Sequence, residues 1–259
     1  MSVADDLNVL GAFLGMRDVP ELTREALRER CGFSQADAMV LFGGSILEGG
    51  RVLAAAMQEG VARTYVIVGG AGHTTGALRR KMHEAFPSIE TANKTEAEVF
   101  EAYLEHEHGL RADYLETAST NCGNNITYLL GLLDEHGIAG RSIILAQDAT
   151  MQRRMDAGMR KFAPKMEIVN FATYRAIVEE RAGELAYAEP VWGMWDIDRY
   201  ATLLMGEIPR LTDGPDGYGP AGKDFIAHVD IPQDARESFG RLCEAGIGEV
   251  RAANSAFAS

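Results

Sequence analysis

The sequence predicts an α/β protein, a Rossmann-like doubly wound parallel sheet with a helical C-terminal cap. Three observations carry this reading. Short β-rich runs end in glycine or small polar residues, each run is followed by a stretch with helical spacing, and the alternation stops after residue 172. Strands that alternate with helices imply crossover connections, and crossovers imply parallel pairing.

The elements follow in order. The apolar run ADAMVLFGG at 36–44 has the composition of a buried parallel strand entering a tight turn, and ILEGGRVLAAAMQEGV reads as its helix. TYVIVGGAG at 64–72 repeats the pattern, with TGALRRKMHEAF as the helix behind it. KTEAEVFEAYLEHEH is helical in spacing, and Asn93 with Glu96 three residues later predicts a capping box. ADYLET is a short third strand. A helix is expected over 122–136, closed by Gly137, then a strand at 141–148, a helix from ATMQRRMDAGMRKF and a strand at 166–172.

Three segments result: an N-terminal helical segment at 1–35, a Rossmann-like core at 36–172, and a helical cap or small subdomain at 173–259. Within the cap, the stretch from Tyr174 to Leu211 reads as mostly helical. DGPDGYGPAGKD at 213–224 is a Gly/Pro/Asp loop, long enough to be a lid or binding loop, with Asp216 and Tyr218 as its candidates.

Composition narrows the function classes. With 46% hydrophobic and 24% charged residues, the 259-residue chain is an ordinary globular protein. A formal charge of −13 opposes attraction to phosphate backbones and anionic lipid, which argues against nucleic acid and membrane partners. Cys31, Cys122 and Cys243 are widely spaced and odd in number, which fits a reducing compartment. Asp5 and Asp6 precede the first apolar stretch, where a secretory signal carries basic residues, so an amphipathic helix and a cytoplasmic protein are expected.

Ligands of open α/β sheets bind beyond the carboxyl ends of the strands, so the strand-end motifs come first. Gly43, Gly44 and Ser45 follow the first strand, and Gly70 and His73 follow the second. Glycines there let backbone amides approach a ligand, although a tight turn explains them equally well, and neither motif matches GxGxxG or a Walker loop. His73 and Asp148 are the candidates for moving a proton. Ser119, Asn121 and Asn125 offer uncharged donors and acceptors at a helix start, suited to a ribose, an amide or a base edge, with Ser119 or Thr120 as a possible N-cap. Cys122 reads as a bystander.

Arg153 and Arg154 fall in the first turns of a helix, where the macrodipole disfavours cations. Their compensating anion is either a ligand carboxylate or phosphate or an acidic side chain such as Asp148. Glu96 and Glu98 occupy a first turn, where capping and the dipole account for acids without catalysis. No His/Cys cluster has zinc spacing and the acids of 213–224 do not form an EF-hand, so no metal is expected. Trp192 and Trp195 read as packing residues.

STNCGNN, QDATMQRR and GEIPRLTDGPDGYGPAGKDFIAHVDIP, together with the two strand ends and KTEAE, resemble the YdcF-like family, within a wider group that includes SanA and ElyC. The resemblance implies a Rossmann-like fold, a cleft lined by the strand-end motifs, and binding of S-adenosylmethionine or a related nucleotide. It implies no known reaction. The wider group's serine and asparagines fall on Ser119, Asn121 and Asn125, and its acid falls on Asn124. Its His-Met-Arg run falls on Thr150, Met151 and Arg153, and its acid in the KTEAE segment on Glu96. The envelope-associated members carry N-terminal spans that this sequence does not show.

The expectation is a small-molecule-binding protein that takes S-adenosylmethionine or a nucleotide-like anionic metabolite and acts as a transferase or hydrolase. The alternative is a noncatalytic ligand sensor or interaction protein. A methyltransferase is the narrower option, without the acidic, glycine-rich loop usual after the first strand.

Overall fold

The computed structural model describes residues 1–248. Strands β1 (Ala36–Phe42), β2 (Ala62–Val68), β3 (Tyr114–Glu116), β4 (Ser142–Gln147) and β5 (Glu167–Ala172) form one parallel sheet in the order β3-β2-β1-β4-β5. All five lie where the sequence predicts them. The helices are α1 (Val3–Leu14), α2 (Arg24–Cys31), α3 (Glu48–Glu59), α4 (Thr75–Ala85), α5 (Glu96–His108), α6 (Cys122–Glu135), α7 (Gln152–Phe162), α8 (Ile197–Arg210) and α9 (Gln233–Glu244).

Alternation along the strands explains the three layers. Met39, Leu41, Ile67 and Ile144 point to one face, where they pack with Leu53 of α3, Leu78 of α4 and Phe100 of α5. Val40, Phe42, Val66 and Leu145 point to the other, against Leu129 of α6 and Met155 of α7. Both faces are covered, so the strands read as continuous apolar runs.

A second apolar cluster joins the two ends of the described chain. Leu7, Leu10 and Leu14 of α1 pack with Tyr200 and Leu204 of α8 and Leu242 of α9. Leu27 of α2 instead belongs to the sheet's cluster. The N-terminal segment therefore divides, α1 to the cap and α2 to the sheet.

The cap is not helical throughout. The antiparallel strands β6 (Val178–Arg181) and β7 (Glu184–Tyr187) occupy part of the stretch expected to be helical. Ala182 and Gly183, at φ of +54° and +85°, form their two-residue turn, and positive φ at both positions matches the twist of a hairpin. The Asn8 side chain pairs with the backbone N–H and C=O of Val178 at 2.7 Å each, fastening β6 to α1. Tertiary contacts thus override a run rich in good helix formers. The end of the predicted cap, 249–259, lies outside the described residues. No helix among the described residues is long and apolar enough to cross a membrane.

Candidate functional site

The strand order reverses between β1 and β4, and the chain leaves these neighbours toward opposite faces of the sheet, α3 on one side and α7 on the other. A crevice at the carboxyl ends follows from that divergence. A cavity of about 310 Å³ opens there, with one wall built from strand ends and the other from the cap.

On the strand wall, the loop after β1 supplies Gly43, Gly44 and Ser45, and the end of β4 supplies Gln147 and Asp148. Glycine is required at two places in this wall. A Cβ on Gly43 would overlap the Glu96 carboxylate, and one on Gly70 would overlap the Ser119 carbonyl. Ser45 is 2% exposed and Gln147 1%, and neither the Ser45 Oγ nor the Gln147 Nε2 has a hydrogen-bond partner among the described residues. Buried polar atoms without partners cost about 1–3 kcal/mol each, and native cores rarely tolerate them without a function.

Asp148 is held by an Asx-type turn. Its Oδ1 accepts from the Thr150 backbone N–H at 2.9 Å, the Thr150 hydroxyl at 2.8 Å and the Tyr174 hydroxyl at 2.6 Å. Oδ2 has no such partner among the described residues. Burial pushes the Asp148 carboxyl above its ordinary value despite the Tyr174 and Thr150 donors, and the nearby Glu207 charge adds to the rise.

Glu96 repeats the arrangement on the other side of Gly43. Its Oε1 accepts from the hydroxyls of Thr74 at 2.8 Å and Thr75 at 2.9 Å, and burial raises its pKa against those bonds. The expected Asn93–Glu96 capping box does not form. Thr95 is the N-cap and Glu98 completes the box, while Asn93 sits at φ +60° in the preceding turn, a conformation asparagine tolerates. Because the helix begins two residues later than expected, Glu96 is its first residue and its carboxylate turns into the cavity.

Asn121 is the N-cap of α6, its Oδ1 accepting from Asn124 N–H at 2.9 Å, so the cap falls on neither Ser119 nor Thr120. The Ser119 hydroxyl accepts from Gly70 N–H at 3.2 Å and ties two strand-end loops together. Asn125 lines the cavity from the next turn of α6, and His73 lines it while remaining exposed.

The two arginines separate. Consecutive helical residues point in different directions, and only Arg154 faces the cavity. Arg153, expected as an anion ligand, is turned away: its Nε donates to the Phe13 carbonyl and its guanidinium lies 4.1 Å from the Phe13 ring centroid. The anion that compensates Arg154 is Glu207 of α8, not Asp148, through Nε at 2.6 Å and Nη2 at 3.1 Å.

The cap wall comes largely from α8, with Arg199, Leu203, Glu207 and Arg210 on one helical face, and from Trp195 just before it. Lys81 pins this junction. Its Nζ donates to Gly193 O at 2.5 Å and Ser45 O at 3.3 Å and lies 4.0 Å from the Trp195 ring centroid, where burial lowers its pKa. In the loop 213–224, Tyr218 lines the cavity and Asp216 does not.

A parallel sheet in the order β3-β2-β1-β4-β5, with its cavity at the reversal, defines a Rossmann-like architecture. No protein-family model matches the chain.

Proposed function

We propose that the chain binds a nucleotide-like, anionic small molecule across the β1/β4 crevice and acts on it as a transferase or hydrolase. The observation that carries this reading is the pair of buried, unpartnered polar atoms, Ser45 Oγ and Gln147 Nε2, in the wall of one cavity at the strand-order reversal. A ligand hydroxyl or amide supplies the missing partners. Asp148 is the group that moves a proton, since Oδ1 is fixed by three donors, Oδ2 has none among the described residues, and a raised pKa brings a carboxylate closer to working pH. The resemblance to YdcF-like proteins adds S-adenosylmethionine as a candidate ligand, and the unpaired cysteines fit a cytoplasmic setting.

Thermal shift against S-adenosylmethionine, S-adenosylhomocysteine, nucleotides and sugar phosphates tests the reading, because a ligand of the native state raises its melting temperature. At least one compound is expected to give a saturable rise. Ser45→Ala removes an unsatisfied hydroxyl, so the free variant is expected to be as stable as wild type or more so, with a weaker response to that compound. No response across the panel, or a Ser45→Ala variant that binds as wild type does, contradicts the proposal.

A further inference from the structure

The cavity is electrically uneven. Its strand wall presents two carboxylates, Glu96 and Asp148, among uncharged polar groups, and its cap wall, joined by Arg154 of α7, presents guanidiniums around the Glu207 carboxylate. An anionic group placed on the strand wall faces those carboxylates, whereas on the cap wall it meets opposite charge. The polarity therefore orients a ligand.

The arginines on that side, Arg154 of α7 and Arg210 of α8, are not fully used by the protein. Glu207, 4% exposed, accepts from Arg154 Nε and Nη2 and from Arg210 Nη1 at 3.2 Å. Arg210 Nη1 also donates to Gly206 O. Two guanidiniums share one carboxylate, and Arg154 Nη1 and Arg210 Nε and Nη2 have no acceptor among the described residues. The Arg154 side chain is 14% exposed and that of Arg210 21%, and both residues line the cavity, so a ligand there can reach these donors. Burial disfavours the Arg154 cation, but the negative field of Cys122 when ionised and of the Glu207 carboxylate, with its hydrogen bonds, more than offsets it and keeps the guanidinium charged.

We infer that Arg154 and Arg210, held side by side by Glu207, form an anion subsite that takes the phosphate of a ligand whose uncharged body lies on the strand wall. This rests on the reading of the crevice as a binding site and specifies its substrate class: a phosphate ester with a hydroxyl- or amide-bearing body. Planar guanidiniums with N–H groups to spare suit tetrahedral, multiply accepting oxyanions. Glu207 fixes the two arginines in place and also limits the charge they offer.

Calorimetric titration with inorganic phosphate at constant ionic strength tests this without knowledge of the ligand. Wild type is expected to bind phosphate saturably. Arg210→Gln is expected to weaken binding by about tenfold or more, the scale of a lost charge-assisted contact. Glu207→Gln keeps one acceptor oxygen for the arginines but removes the competing charge, and is expected to tighten binding by about threefold or more. Failure of wild type to saturate, or phosphate affinities that do not move in opposite directions in Arg210→Gln and Glu207→Gln, overturns the inference. Should Arg210→Gln not fold, an unchanged or weakened affinity in Glu207→Gln overturns it alone. The ligand panel with Ser45→Ala judges the crevice separately.

Discussion

The two walls of the cavity solve different problems. The strand wall is made where backbone geometry is fixed by the sheet, and it holds its polar atoms in place by hydroxyl donors and by glycines at points of close approach. The cap wall is made by a helix face and keeps long, charged side chains in place by pairing them with each other. One wall supplies shape, uncharged hydrogen bonding and two carboxyl groups, the other supplies guanidiniums.

The comparison is broken most severely on the cap side. Arg154→Met leaves Glu207 buried with Arg210 as its remaining partner, and is expected to cost about 3 kcal/mol in urea unfolding, the scale of breaking a buried pair from one side. The double variant Arg154→Met with Glu207→Met removes both charges and is expected to recover much of that loss. A single variant that unfolds at the wild-type midpoint would show that the pair does not hold the cap wall together.

The strand side is sharpened by pH. Burial raises the folded-state pKa of Asp148, so the folded protein binds this proton more tightly than the unfolded chain does. Stability from this group is therefore greatest when it is protonated and falls as pH rises from the ordinary aspartate value through the raised one. Asp148→Asn keeps an oxygen for Tyr174 and Thr150 and removes the charge. Its melting temperature is expected to exceed that of wild type by a few degrees at pH 7, with the gain shrinking as pH is lowered. Glu96 has the same sign and leaves part of the slope in place. A gain independent of pH would assign the effect to packing instead of titration.

The strand wall was the more legible of the two. Apolar runs ending in glycine locate β1 and β2, and sites at strand ends follow from the topology, so Gly43, Gly44, Ser45, Gly70 and Asp148 are legible in the sequence alone. The cap wall was harder. Arg199, Leu203, Glu207 and Arg210 recur at intervals of three or four residues, which marks one helix face, but such a stripe reads equally well as a solvated surface. Only the packing of α8 turns it inward. The hairpin at 178–187 was hidden for a related reason, since its turn uses Ala182 at positive φ and its edge is capped by Asn8, a partner 170 residues away. Arg153 and Arg154 are indistinguishable in the sequence, because position alone does not tell which of two neighbours faces a cavity.

The central claim is that one ligand spans both walls. It is tested most directly by comparing adenosine with adenosine 5′-monophosphate in calorimetry on wild type, Ser45→Ala and Arg210→Gln. The account predicts that the monophosphate binds wild type at least about tenfold tighter, that Ser45→Ala weakens both compounds alike, and that Arg210→Gln weakens only the monophosphate. Equal binding of the two compounds to wild type, or an Arg210→Gln variant that loses both together, would contradict it.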